Sequence, residues 1–153
     1  MEIERKFLIA QLPQLSGYRK IIMSQHYLSV DPVMRIRKAD ERYIFTYKSG
    51  EGMVRQEEEF DISEHDFERL LARRIGNGVY KTRYVIPLNE KLRAEVDVYE
   101  KQLKGLCVVE VEFENEQEAK AFTPPAWFGK EVTEDPSYTN AMLALGSMKQ
   151  LTA

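Results

Sequence analysis

Residues 2–9 read EIERKFLI, and Glu2, Glu4 and Lys6 fall on every second position. Side chains two apart in a strand project from the same face, so these three charges lie side by side. Ile3, Phe7 and Ile9 occupy the opposite face, which Arg5 interrupts. Neighbouring carboxylates on one face repel each other. The arrangement therefore calls for something that neutralises it.

The same spacing recurs along the chain. Arg35 and Arg37 share a face, with Met34 and Ile36 opposite. Arg55, Glu57 and Glu59 share another, and Lys48 lies on the partner strand of that hairpin. Lys81 with Arg83, Glu95 with Asp97, and Glu110 with Glu112 repeat it. A half-buried sheet with a solvated face also alternates. Solvated faces, however, favour Thr, Ser and mixed signs, whereas here same-sign pairs recur.

Around these pairs the sequence predicts about eight strands, over 2–9, 25–30, 34–39, 42–49, 53–62, 80–88, 92–100 and 106–114. Turn signals separate them, including Asp31-Pro32 and the Gly50-Glu51-Gly52 hairpin. Helices are predicted over 63–74 with Ser63 as N-cap, over 116–122, and over 136–146 with Ser137 as cap and Gly146 as stop. The expected class is mainly β (α+β), an antiparallel meander or barrel with a few flanking helices. A length of 153 residues fits one domain spanning 1–153.

Composition narrows the function classes. The hydrophobic fraction is 43%, the charged fraction 31% and the net charge −3, which disfavours a general nucleic-acid binder. No apolar run approaches a membrane span, and no signal-peptide segment opens the chain. Cys107 has no partner for an internal disulfide, which suits a reducing cytoplasm. With His26 and His65 far apart in sequence, a Cys/His zinc site is excluded.

If the strands close with their charged faces inward, one cavity wall carries two opposed sets. Its acids are Glu2, Glu4, Glu57, Glu59, Glu95, Asp97, Glu110 and Glu112. Its bases are Lys6, Arg35, Arg37, Lys48, Arg55, Lys81 and Arg83. Buried charges must be paired or bind ions. Carboxylates without His or Cys suit hard divalent cations such as Mg²⁺ or Mn²⁺. Rows of Arg and Lys suit phosphate oxygens. A metal-bound triphosphate satisfies both sets at once.

These residues resemble a known family. EIERKF (2–7) is similar to the ExExK signature of the CYTH superfamily, the triphosphate tunnel metalloenzymes. The likeness continues through QHYL (25–28), RIR (35–37), TYKS (46–49), RQEEEF (55–60), KTRY (81–84), EVDVYE (95–100), VVEVEF (108–113) and the tail from Trp127 to Ala144. It is greatest to the short, single-domain bacterial members. The resemblance implies a closed eight-stranded antiparallel barrel whose tunnel binds triphosphates. It implies metal ligands at Glu2, Glu4, Glu112 and Glu110, and a phosphate-binding row of Lys6, Arg35, Arg37, Lys48, Arg55, Lys81 and Arg83. Glu57, Glu59, Glu95 and Asp97 would complete the tunnel's carboxylates. Catalytic candidates are Glu4, Lys6, Arg37 and Lys81, with Tyr27 serving either in catalysis or in packing.

The implied activity is metal-dependent hydrolysis of a small triphosphate, foremost inorganic tripolyphosphate to diphosphate and orthophosphate. Class IV adenylate cyclase and thiamine triphosphatase rank below it, because no base pocket or aromatic platform is identifiable. A non-catalytic polyphosphate or nucleotide sensor should have lost its metal ligands, and this sequence keeps both sets. KSGEG (48–52) lacks the GK[ST] ending of a phosphate loop and reads as a hairpin. His26 reads as a neighbour of the site, and FTPPAWFG (122–129) as a packed corner.

Overall fold

The computed structural model describes residues 1–146. Its strands are β1 (Glu2–Ile9), β2 (Arg19–Val30), β3 (Val33–Ala39), β4 (Arg42–Ser49), β5 (Val54–Asp61), β6 (Ile75–Pro87), β7 (Arg93–Tyr99), β8 (Cys107–Glu112) and β9 (Phe128–Glu131). Three short helices accompany them: α1 (Glu64–Leu71), α2 (Glu116–Ala121) and α3 (Asn140–Ala144). The sheet runs β5-β4-β3-β2-β6-β7-β8-β1, all antiparallel, and β5 also pairs with β1 to close the ring. This is the expected eight-stranded barrel.

The closure is narrow. On the β5 side, β1 pairs only through Glu2–Arg55 and Ile3–Val54. Further along the same edge β9 takes over, pairing Phe7 with Glu131 and Ile9 with Phe128. This ninth strand lies in the segment that reads as a packed corner. Four residues directly after a Pro-rich turn give no alternation to detect.

Two strands are longer than the alternation predicts. β2 begins at Arg19, because the Ile21-Ile22-Met23 run has no period, and Ile22 is exposed on the outer face. β6 begins at Ile75, ahead of Gly76 and Gly78, which read as turn residues. The third helix is also shorter than expected. Residues 136–138 form a 3₁₀ turn whose Ser137 N–H donates to Asp135 Oδ1 at 3.0 Å. The cap of α3 is Thr139, not Ser137: its Oγ1 accepts from the Met142 N–H at 3.2 Å. Ser63 caps α1 as expected, accepting from the Asp66 N–H at 3.0 Å.

The larger apolar cluster lies on the outer side of the ring. Ile3, Phe7, Val96, Val109 and Val111 alternate with the charged residues and face outward, where Phe113, Ala119 and Phe128 cover them. Burying this face holds the wall together and fixes which residues point inward. Arg5 interrupts the apolar face for a structural reason. Its guanidinium grips Glu131 of β9 at 2.9 and 2.7 Å. It also donates to the carbonyls of Ala119 and Phe122 at the end of α2, at 2.8 and 3.0 Å. One side chain thereby ties three elements together. A second cluster, in which Val79, Tyr99 and Val108 meet Ala141, Leu143 and Ala144, fills one end of the barrel with α3. Among the described residues no helix is long and apolar enough to cross a membrane.

Candidate functional site

Inside the ring lies a charged cavity of about 180 Å³. All the predicted site residues line it except Lys81 and Asp97. Those two are fully buried behind the lining, with Lys81 Nζ 2.6 Å from Asp97 Oδ2.

Strand order sorts the charges into two arcs. Neighbouring strands β5, β1, β8 and β7 carry Glu57 and Glu59, Glu2 and Glu4, Glu110 and Glu112, and Glu95 with Asp97. Around the rest of the ring, β4, β3 and β6 carry Lys48, Arg35 and Arg37, and Lys81 with Arg83. Lys6 and Arg55 stand within the acidic arc. Register places like charges directly opposite each other, Glu4 against Glu112 and Glu95 against Glu110. Pairs of this kind destabilise a sheet unless something compensates.

Ion pairs compensate part of this charge. Lys6 lies 3.4 Å from Glu110, Lys48 3.0 Å from Glu2 and 3.3 Å from Glu57, and Arg35 3.7 Å from Glu59. Arg83 lies 2.8 Å from Asp97 and 3.4 Å from Glu95. Burial raises Glu110, but Lys6, Arg83, Lys81 and a hydrogen bond from Glu4 outweigh it and hold its carboxyl well below the usual range. Glu4 moves the other way: burial, then the charges of Glu110 and Glu2, raise it well above its ordinary value. Burial also raises Glu57, Glu95 and Glu112, with like-charged neighbours adding to it. Glu2 is lowered, because Lys48 and the Glu57 hydrogen bond outweigh burial.

Both arcs remain unsatisfied. On the acidic side, Glu4 shares a hydrogen bond with Glu110, and Glu2 with Glu57, as carboxyls do when too little positive charge is present. Glu2 Oε1 faces the Lys48 ammonium but makes no aligned hydrogen bond. On the basic side the Arg35 Nε–H is buried without an acceptor. Among the described residues, neither Arg37 nor Arg55 has a carboxylate partner. Burial, with Arg35 and Arg83 nearby, pushes the Arg37 guanidinium down to about 10.

The all-oxygen donor set fits a hard divalent cation, whose charge would relieve the repulsion among Glu4, Glu110 and Glu2. Among the described residues no three carboxylates already stand in ligating geometry. The donors are therefore held close in pairs and are not preassembled as a cage.

Charge alternation overlooks several neutral residues of the site. Gln25 accepts from Arg37 Nε at 2.9 Å, and Thr46 accepts from Arg35 at 3.1 Å. Both sit two residues from a predicted site residue, Tyr27 and Lys48 respectively, so strand parity alone would have found them. The tail contributes Thr139 and Asn140 to the lining. Asn140 accepts from the Tyr99 hydroxyl, and the Tyr138 carbonyl accepts from Lys6 Nζ at 3.1 Å. A second cavity of about 450 Å³ adjoins the first, sharing Glu4, Lys6, Lys48 and Arg55 with it. At its edge Gly52 has a positive φ of 76°, and a Cβ there would lie 2.3 Å from a Glu134 carboxylate oxygen. The positive φ is what favours glycine there, since the Glu134 carboxylate stands at the end of a flexible side chain.

Comparison with known proteins agrees with this geometry. A relative from Nitrosomonas europaea named inorganic triphosphatase is 44% identical over 147 residues, covering 94% of this chain and 97% of the relative. One from Acetivibrio thermocellus with the same name is 30% identical over 152 residues, covering 97% and 96%. A solved inorganic triphosphatase structure superimposes with a TM-score of 0.71 at 42% identity, covering 95% of each chain. A Pyrococcus horikoshii protein shares the fold at a TM-score of 0.54 and 19% identity, over 78% of this chain and 82% of that one. The CYTH domain pattern itself matches residues 1–133, which takes in every charged strand of the ring. A closed barrel with its charge turned inward and a sequence that matches along nearly its whole length lead to one assignment: the chain belongs to the CYTH family, the triphosphate tunnel metalloenzymes.

Proposed function

We propose that this protein hydrolyses inorganic tripolyphosphate to diphosphate and orthophosphate, using Mg²⁺ or Mn²⁺. The observation that carries the reading is the double deficit of the cavity. Arg37, Arg55 and the Arg35 Nε–H lack anions, while Glu4, buried against Glu110 and Glu2, has no cation in ion-pair contact among the described residues. A metal-bound polyphosphate supplies both. Relatives named inorganic triphosphatase support the same substrate.

In this reading Glu2, Glu4, Glu110 and Glu112 hold the metal. When bound, it neutralises phosphoryl oxygens and makes a coordinated water more acidic. Lys6, Arg35, Arg37, Lys48, Arg55 and Arg83 bind the phosphate chain and stabilise charge that builds up as the anhydride bond breaks. A cavity carboxylate receives the proton of the attacking water. Glu57, Glu95 and Glu112 line the cavity and are the candidates for this role, since burial raises the affinity of each for a proton. Lys81 acts from behind the wall. Burial, aided by Arg83 and Arg37 and opposed by Asp97, pushes its ammonium down to about 7. Its contact with Asp97 keeps that carboxylate in place for Arg83. The lone Cys107 suits a reducing, cytoplasmic setting.

Assays with tripolyphosphate, ATP and thiamine triphosphate, under each metal in turn, test the reading. Tripolyphosphate should turn over fastest, because the cavity wall, among the described residues, is built mainly of charged side chains. Cyclic AMP as the main product from ATP would replace the hydrolase with a cyclase. Binding without turnover of any compound would point to a sensor.

Arg37→Ala should weaken tripolyphosphate binding or turnover by ~10- to 150-fold, the worth of a charge-assisted contact of ~1.5–3 kcal/mol. Steady-state kinetics checks it. Parent-like values would mean that Arg37 does not touch the substrate.

A further inference from the structure

Each cation on the cavity wall has a carboxylate within ion-pair distance except Arg37 and Arg55, among the described residues. Arg55 reaches the Gly50 carbonyl in an exposed position. Arg37 lies deeper, and its Nε–H donates to the side-chain oxygen of Gln25 at 2.9 Å. An arginine offers no acceptor, so the amide oxygen must face it. The Gln25 NH₂ is thereby turned to Tyr27, whose phenolic oxygen accepts at 3.0 Å. Having accepted there, the Tyr27 hydroxyl keeps its own proton for a different acceptor, and Tyr27 lines the cavity.

We propose that Gln25 is a positioning residue whose neutral amide holds Arg37 in the cavity without cancelling its charge and aims the Tyr27 hydroxyl proton at the bound triphosphate. The inference rests on the tripolyphosphate reading above. Gln25 is fully buried. Lys6, Arg35, Lys48 and Arg83 on this wall each have a carboxylate in reach instead. Here a carboxylate would fit equally well but would pre-empt the anion. The depressed Arg37 guanidinium agrees: burial and two like-charged neighbours leave it in want of negative charge.

Gln25→Glu separates this role from a merely structural one. It preserves length, shape and the acceptor for Arg37, but it adds the missing charge and can no longer donate to Tyr27. The variant should melt within a few degrees of the parent, yet its KM for magnesium tripolyphosphate should rise ~10-fold or more, the worth of one charge-assisted contact. Its kcat should fall as well, as the Tyr27 proton turns away from the substrate. Gln25→Met, which neither holds nor neutralises Arg37, should disturb KM less than Gln25→Glu does. A structural prop predicts the reverse order, so a parent-like KM in Gln25→Glu overturns the inference. If Gln25→Glu does not fold, Gln25→Met decides the matter. A kcat loss of ~10-fold with a KM rise of only a few-fold, as Arg37 loses its hold but keeps its charge, supports the inference, and parent-like kcat overturns it. Failure of the parent itself to bind or hydrolyse tripolyphosphate would overturn the functional reading, and this inference with it.

Discussion

Glu4→Gln is expected to lower metal-dependent hydrolysis by ~10²-fold or more, because a bound metal supplies several kcal/mol of transition-state stabilisation. Without metal, the same variant should be at least as heat-stable as its parent. Glu4 is buried beside Glu110 and Glu2, faces Glu112 across the strand pair, and binds its proton unusually tightly. A carboxyl raised in this way contributes stability that is complete below its unfolded value of 4.5 and is lost as pH climbs through its folded value. The advantage of the glutamine variant should therefore be absent in acid and grow with pH. Metal and tripolyphosphate added together should raise the melting temperature of the parent much more than that of the variant. Paired melting and activity measurements on the two proteins decide it. Full activity in Glu4→Gln would remove Glu4 from the metal site.

Asp97→Asn should be among the most destabilising changes that preserve shape. Asp97 receives hydrogen bonds from Lys81 at 2.6 Å and from Arg83 at 2.8 and 3.0 Å, with no exposed surface. Removing one partner of a buried pair costs ~3–5 kcal/mol, since the remaining charge has no solvent to turn to. For a chain of this size that corresponds to a fall of about 6–20 °C in melting temperature. The two orphaned cations differ in how they escape. Arg83 cannot shed its proton, whereas Lys81, already pushed down to about 7, can. The deficit should therefore be larger below that value than above it. Calorimetry on either side of it provides the check. A small, pH-independent deficit would mean that the Lys81–Asp97 contact does not carry the charge assigned to it.

The inward face was legible because strand parity is local. Glu2 and Glu4, or Arg35 and Arg37, declare a shared face from spacing alone, and repeated same-sign pairs imply that the faces converge. Parity does not report depth. Lys81 and Asp97 have the correct parity yet lie behind the lining, because Tyr99 and Val79 fill that end of the barrel around them. Charge marks neither Gln25 nor Thr46, although they share faces with Tyr27 and Lys48. β9 has no local signature, because its four residues take their partner from β1, more than a hundred positions away in sequence. The register of α3 was settled by the Thr139 hydroxyl, one of several residues in that stretch able to cap a helix.

The apolar core on the outer side of the wall also bears on how such a protein can change over generations. In most enzymes the side chains around a substrate also help to hold the interior together, so altering specificity erodes the fold. Here the packing of Ile3, Phe7, Val109 and Val111 against Phe128 and Ala119 proceeds on the far side of the same strands. Apart from the buried Lys81–Asp97–Arg83 knot and the apolar end around Tyr27, Val79, Tyr99 and Val108, the charged inward positions can be redrawn in sequence while the outward ones keep the ring closed. Substrate preference on this scaffold can therefore drift without a matching loss of robustness.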